Sequence, residues 1–323
     1  MSLGLGKFAY TKGLHDLGNG AYAWLAPDGS WGWSNAGLIV DGACSLLVDT
    51  LFDMPMTDTM LAAMRDAEPA ARALDMVVNT HANGDHCNGN ACCGEAEIIA
   101  SRACAEQLAA EPPEMLAAMQ KNAPNMGLMG KFFAEVFAPF DFAGVVQKLP
   151  TRTFETELSL TVGDKRVALY NVGPAHTAGD TLVHVPADKL LYTGDILFIE
   201  GTPIVWAGPI GNWIAACDRI LALDADIIVP GHGPITDNRG VRAVRDYLRY
   251  VHSEARKRYD AGLDAAEAAR DIALGDYDSW GDAERIAVNV ATAYREFAGD
   301  TSAPDTLQLF GLMAEIYFDR KKR

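Results

Sequence analysis

The chain has 323 residues, enough for one large domain or two ordinary ones, and its 49% hydrophobic and 22% charged content is that of a globular protein with a sizeable core. With 27 basic residues against 43 acidic ones, the formal net charge of -16 repels phosphate backbones and speaks against nucleic acid as a partner. No apolar run reaches membrane-spanning length, and Met1-Ser2-Leu3-Gly4-Leu5-Gly6-Lys7 lacks the charged-then-apolar pattern of a secretion signal, so no membrane partner is expected. The 6 cysteines are irregularly spaced, contain no C-x-x-C pair and include the adjacent Cys92-Cys93. Neighbours in sequence make poor disulfide partners, so reduced thiols in a cytoplasmic protein are the expectation. Cys87 stands beside His86, but a small buried thiol is the favoured reading.

In chain order, Ala21 to Thr50 reads as two hairpins, with turns at Pro27-Asp28-Gly29-Ser30 and at Asp41-Gly42. Thr57 can cap a helix whose apolar face is Met60, Leu61 and Met64, ending before Pro69. Strands follow at 76–79 and 96–100, with the polar turn His81-Ala82-Asn83-Gly84-Asp85-His86 after the first of them. Residues 104–148 break the rhythm with Met and Phe at helical spacing among four prolines, which reads as a helical insertion with its own small core. The same adaptable apolar side chains suit a cover over an active site, and Phe132 and Phe133 are candidate pocket residues on that reading.

The strand signal returns at 158–162, 167–172, 181–185 and 190–193, and again at 226–229 after a helix carrying Trp213, Ile214, Cys217, Ile220 and Leu221 on one face. Residues 239–323 look mainly helical, with apolar stripes at Val241, Val244, Leu248 and Val251 and at Ile286, Val290, Ala293 and Phe297. Two successive halves of strands, helix and strand suggest an α/β sandwich rather than a parallel doubly wound sheet.

Four separate strand-to-turn junctions end in side chains that bind metals: His81, Asp85 and His86, then His176, Asp195 and His232. Imidazole nitrogen with carboxylate oxygen is a donor set for zinc and related ions. Strands of one sheet end on a common edge, so ligands far apart in sequence can meet there. Glycine next to or near three of these junctions lets the backbone turn sharply around an ion. His15, His184 and His252 lack that setting and read as packing or surface residues.

The set His81-x-x-x-Asp85-His86, Pro174-Ala175-His176-Thr177-x-Gly179-Asp180, Thr193-Gly194-Asp195 and Pro230-Gly231-His232-Gly233 resembles the metallo-β-lactamase-fold hydrolase superfamily, in order, over about residues 21–234. The resemblance implies an αββα sandwich over residues 1–238, the insertion at about 104–148 included. It leaves 239–323 as a helical extension packed on the same domain. It also implies a dinuclear site, usually zinc, with His81 and His176 on the first ion, Asp85, His86 and His232 on the second, and Asp195 bridging. One position departs from the pattern: Asn83 stands where the family's motif carries a histidine. Amide oxygen is a weaker zinc ligand than imidazole, so one or two ions per chain follow, with iron or manganese as alternatives to zinc; Asn83 is a weak ligand or a substrate contact.

The function implied is hydrolysis by a metal-bound hydroxide, with Asp85 also orienting the nucleophile as its catalytic residue. The substrate class is a small ester, lactone, thioester, β-lactam or sulfate ester with an apolar portion, met by Trp206. The alternatives are a mononuclear iron oxygenase resembling the persulfide dioxygenases, and a degenerate member that only binds metal. The C-terminal helices could cover the site or build a homodimer.

Overall fold

The structure is a computed structural model that describes residues 4–322; Met1, Ser2 and Leu3 of the N-terminal stretch and the last residue of the C-terminal region lie outside them. Among the described residues, twelve strands form two facing sheets. The first runs in the order β1 (Gly13–Gly18), β2 (Ala21–Leu25), β3 (Ala36–Asp41), β4 (Cys44–Val48), β5 (Met76–Val78), β6 (Glu97–Ser101) and β7 (Arg152–Phe154). Its pairing is antiparallel up to β4 and parallel from β4 to β7. The second sheet contains β8 (Glu157–Val162), β9 (Lys165–Asn171), β10 (Thr181–Val185), β11 (Leu190–Tyr192) and β12 (Ile227–Val229), ordered β12-β11-β10-β9-β8.

Period-two alternation decides what each strand buries. Leu46 and Val48 of β4, Val78 of β5 and Ile99 of β6 face Val183 and Val185 of β10 and Leu190 of β11 in the core between the sheets. Leu47, Val77 and Ile98 point the other way, onto Met60, Leu61 and Met64 of α1 (Met54–Ala67). On the far side, Leu182, Leu191 and Ile228 pack with Trp213 and Ile220 of α6 (Ile210–Ala222) and Val244 of α7 (Asn238–Asp260). The layers are therefore helix, sheet, sheet, helix, as the resemblance implies. Between the sheets, Gly37 is backed by the ring of Tyr192, so a methyl group there would collide with it.

The remaining helices are the short α2 (Gly84–Cys87), α3 (Arg102–Ala110), α4 (Glu114–Asn122) and α5 (Gly127–Phe137) between β5 and β7, and α8 (Ala265–Asp271), α9 (Ile286–Ala298) and α10 (Thr306–Lys321) after α7. Among the described residues no helix is long and apolar enough to cross a membrane.

Several local expectations need correction. The cap of α1 is Asp53, whose carboxylate accepts from Met56 N at 2.8 Å; Thr57 lies inside the helix and its hydroxyl donates to Asp53 O. β2 and β3 do pair antiparallel, but residues 26–35 form a long loop between them in place of a tight turn. β1 and β7 are additional strands. Phe133 is fully buried against Phe137 and Phe142 within the insertion, and Phe132 packs edge-on to Trp31 and Tyr317. Phe133 is thus a core residue, and Phe133→Ala is expected to cost about 3–5 kcal/mol of stability, read from a denaturant midpoint. A loss below about 1 kcal/mol would contradict that placement.

Candidate metal centre

The donors lie on the segments that follow strand ends. His81 follows β5, Asp195 follows β11 and His232 follows β12, while His176 sits in the loop from β9 to β10 and Asp85 and His86 lie on α2. The two sheets are tied together at this edge, where Thr181 N donates to Thr80 O at 2.8 Å. Glycine is required beside Asp195, since a side chain at Gly231 would collide with its carboxylate and one at Gly194 with Thr80.

The six predicted ligands converge in two groups, His81 with His176 and Asp195, and Asp85 with His86 and His232; one donor atom from each member lies within 4.8 Å of the others in its group. Asp195 touches both. Its Oδ2 is 3.6 Å from His81 Nε2, 3.3 Å from His176 Nε2 and 3.4 Å from His232 Nε2, and its Oδ1 is 3.0 Å from His86 Nε2. Asp85 Oδ2 lies 3.2 Å from His232 Nε2 and 3.9 Å from His86 Nε2. All six residues are buried, with Asp85 the most accessible at 9%.

The electrostatics suit a cation. Burial pushes His81 well below the usual imidazole range against the pull of Asp195, and burial brings His176 down to about 4, so both rings are neutral and keep a lone pair. Burial would also depress His86 and His232, but the surrounding carboxylates override it, raising His86 well above its usual range and His232 to about 9. Burial likewise raises the carboxylates, yet the histidines outweigh it and hold Asp85 down to about 2 and Asp195 lower than usual. In the metal-free protein, protons on His86 and His232 balance these charges, a task a divalent ion would take over. His81 Nε2, His86 Nε2 and Asp195 Oδ1 are buried without a well-formed hydrogen bond, the last two facing each other at 3.0 Å, and such atoms are normally satisfied. The donor chemistry and the orphaned atoms both fit a metal.

The rings are aimed from behind. His86 Nδ1 faces Asp49 Oδ2 at 3.0 Å, His176 Nδ1 donates to Ile204 O at 2.7 Å, and His232 Nδ1 donates to Gly29 O at 3.1 Å. Each contact puts the ring proton on Nδ1 and leaves Nε2 free to ligate. Asp49 is the functional residue that sequence reasoning missed. Its carboxylate also accepts from Thr80 N and Thr80 Oγ1, both at 2.7 Å. The signal was present, because Leu46-Leu47-Val48-Asp49 is another apolar strand ending in an acid.

Asn83 lies with Oδ1 2.7 Å from His176 Nε2. With the ring proton on Nδ1, Nε2 is an acceptor, so the amide satisfies it only by presenting its NH2 group, and oxygen and nitrogen of an amide are interchangeable by a flip. Cys87 stays apart from the donors: its thiol points to Asn83 O at 3.1 Å, and burial raises its pKa well above the usual thiol range. Trp206 sits close to the first group, its backbone N donating to His176 O at 3.1 Å. Phe133 is not brought to the site.

Residues 29–232 match the family described as the Metallo-beta-lactamase superfamily. Among characterised relatives, the linear primary-alkylsulfatase of Pseudomonas sp. (strain ATCC 19151) is 26% identical over 137 residues, 39% of this chain and 26% of that protein. The acyl-coenzyme A thioesterase MBLAC2 of Gallus gallus is 24% identical over 240 residues, 71% of this chain and 78% of that protein. Among solved structures, the sec-alkylsulfatase Pisa1 from Pseudomonas sp. gives a TM-score of 0.67 at 17% identity, covering 92% of this chain and 52% of that one. A metallo-beta-lactamase from Pontibacter korlensis gives 0.55 at 17% identity, covering 74% of this chain and 99% of that one. The chain therefore spans about a quarter of the primary-alkylsulfatase and about half of the solved sec-alkylsulfatase.

Proposed function

Because the chain belongs to the metallo-beta-lactamase superfamily, we propose that it is a metal-dependent hydrolase acting on a small ester-type substrate with an apolar portion. The observation that supports this best is the buried convergence of six metal-binding side chains in which three polar atoms lack a well-formed hydrogen bond. His81, His176 and Asp195 would hold one ion and Asp85, His86 and His232 another, with Asp195 shared. When bound, such a metal lowers the pKa of its water from about 15.7 to about 7 and so supplies a nucleophile at neutral pH.

The protein's own groups do the rest. Asp85, the most exposed of the six, is placed to accept a hydrogen bond from the attacking water and fix its direction. Asp49, Ile204 O and Gly29 O keep the rings of His86, His176 and His232 in the ligating tautomer. The relatives named for sulfate esters and acyl thioesters both suit an alkyl or acyl group beside the reacting bond, and we assign Trp206, whose backbone N donates to His176 O, to meet it. Zinc is the metal we propose. Among the 6 cysteines all are free, which fits a reducing cytoplasm. Elemental analysis followed by a panel of alkyl sulfates, esters, thioesters, lactones and β-lactams tests the reading; a metal-loaded protein that cleaves none of them would overturn it.

Asn83 makes the first group the weaker of the two, since its amide competes for His176 Nε2. One ion per chain is then expected to resist dialysis, and Asn83→His is expected to raise the retained zinc towards two. An unchanged stoichiometry would show that Asn83 does not limit the site. The same first group is a set of two histidines and one carboxylate, the arrangement of mononuclear iron oxygenases. Iron in the purified protein together with oxygen uptake would favour that second reading over hydrolysis.

A further inference from the structure

The metal ligands are largely covered, with His81 and His176 each 1% exposed and His232 3%, and Asp85 at 9% marks the side open to solvent. The apolar portion of a substrate therefore needs a wall beyond the ligands themselves. The loops flanking the centre each carry a tryptophan. Trp31 lies two residues beyond Gly29, which accepts from His232, and Trp206 is hydrogen-bonded through its backbone to His176. One ring from the other end of the chain touches both indoles. Phe310 of α10 stacks on Trp206 with centroids 5.9 Å apart and tilts against Trp31 at 6.2 Å.

The three aromatics are anchored very differently. The Trp31 indole N–H donates to the buried Glu284 at 2.7 Å, and the Arg285 guanidinium lies 4.4 Å from its ring, so that wall is fixed. Trp206 is fixed by its position in the ligand loop. α10, by contrast, is tied down mainly in its C-terminal half, where Met313, Ala314 and Ile316 are buried and Tyr317 and Lys321 bond to Glu135 of α5. Residues 298–308, which lead to Phe310, are all exposed. Phe310 thus sits at the weakly held end of its helix, and Gly311 behind it has open space around its Cα.

We propose that the gap between Trp31 and Trp206 is the recess for the apolar portion of the substrate, and that Phe310 fills it until substrate displaces it. The inference rests on the hydrolase reading for its choice of occupant. A phenyl ring touching two indoles is replaced by an alkyl or aryl group with little change in buried apolar area, so exchange costs little once the ring swings out. Trp206 then gains contact with the ligand's chain and Phe310 competes with it. The two side chains should act with opposite sign, which loss of packing alone would not produce.

Binding of butyl and octyl sulfonate to the metal-loaded full chain, read from tryptophan fluorescence, tests this without needing turnover. Wild type should prefer octyl over butyl. Phe310→Ala should tighten octyl binding about tenfold and change butyl binding less than about twofold, while Trp206→Ala should weaken octyl binding about tenfold. Phe310→Leu, which refills the space, should restore most of the wild-type preference. Weaker octyl binding in both alanine variants, or equal changes for both chain lengths, would overturn the proposal. Absence of hydrolysis across the substrate panel with these binding shifts intact would instead sink the hydrolase reading alone.

Discussion

Asp195→Asn is expected to lower turnover by at least about a thousandfold and to strip the protein of one equivalent of metal or more. One carboxylate oxygen lies 3.3–3.6 Å from three imidazole nitrogens and the other 3.0 Å from a fourth, so Asp195 lies against both groups of donors. An amide offers a single oxygen and turns an N–H donor towards a nitrogen that must keep its lone pair. Metal analysis and steady-state kinetics read the two effects together. Full metal content with unchanged turnover would remove Asp195 from the centre.

The same substitution has a second readout in metal-free protein. His232 is raised to about 9, burial opposing and Asp195 and Asp85 raising it, so its folded pKa exceeds the unfolded value of about 6.5. Stability from that interaction is fully present below pH about 6.5 and is lost as pH rises through about 9. Seen from the acids, Asp85 held down to about 2 loses its contribution as pH falls towards that value. Denaturant midpoints of the wild type should therefore fall on both the alkaline and the strongly acid side. In Asp195→Asn the alkaline fall should move to lower pH.

How much of this was legible depended on how local the signal was. The stripe Val241, Val244, Leu248 and Val251 reports the face its helix buries, and it was readable without coordinates. The six converging donors were readable because each ends a strand or lies in the turn or short helix beside one, which is a local pattern repeated along the chain. β1 was not, because Gly13-Leu14-His15-Asp16-Leu17-Gly18 has glycines at both ends and polar residues at its centre. β7 is three residues long and exists through its parallel pairing with β6, a contact absent from its own sequence. The loop 26–35 reads as a turn signal, yet its length is set by the need to pass Gly29 and Asn35 beside the His232 loop, where Asn35 N bonds Gly231 O at 2.7 Å. Trp31, Trp206 and Phe310 meet from three distant regions, so no window of sequence contains their relationship.

The sharpest test of the donor geometry lies at Asp49, one layer behind the converging imidazoles. It is 2% exposed and takes three donors, Thr80 N, Thr80 Oγ1 and His86 Nδ1, on two oxygens. Its backbone is left-handed, with φ of +64°, a conformation aspartate and asparagine tolerate better than most residues. Asp49→Ala leaves the buried His86 ring and Thr80 without their acceptor, and is expected to cost about 3–5 kcal/mol and to weaken metal binding about 10–100-fold. Asp49→Asn separates the two effects. Its oxygen can still accept from Thr80 N, but the amide NH2 then faces His86 Nδ1, and the imidazole answers by moving its proton to Nε2. That nitrogen is the one aimed at Asp195, so on the proposed reading the ring would cease to be a ligand while its packing is unchanged. Asp49→Asn should accordingly melt close to wild type yet lose metal from the Asp85, His86 and His232 group, with the imidazole nitrogen resonances reporting the Nε2–H tautomer. Wild-type zinc content in a folded Asp49→Asn protein would show that His86 is oriented by something other than this carboxylate.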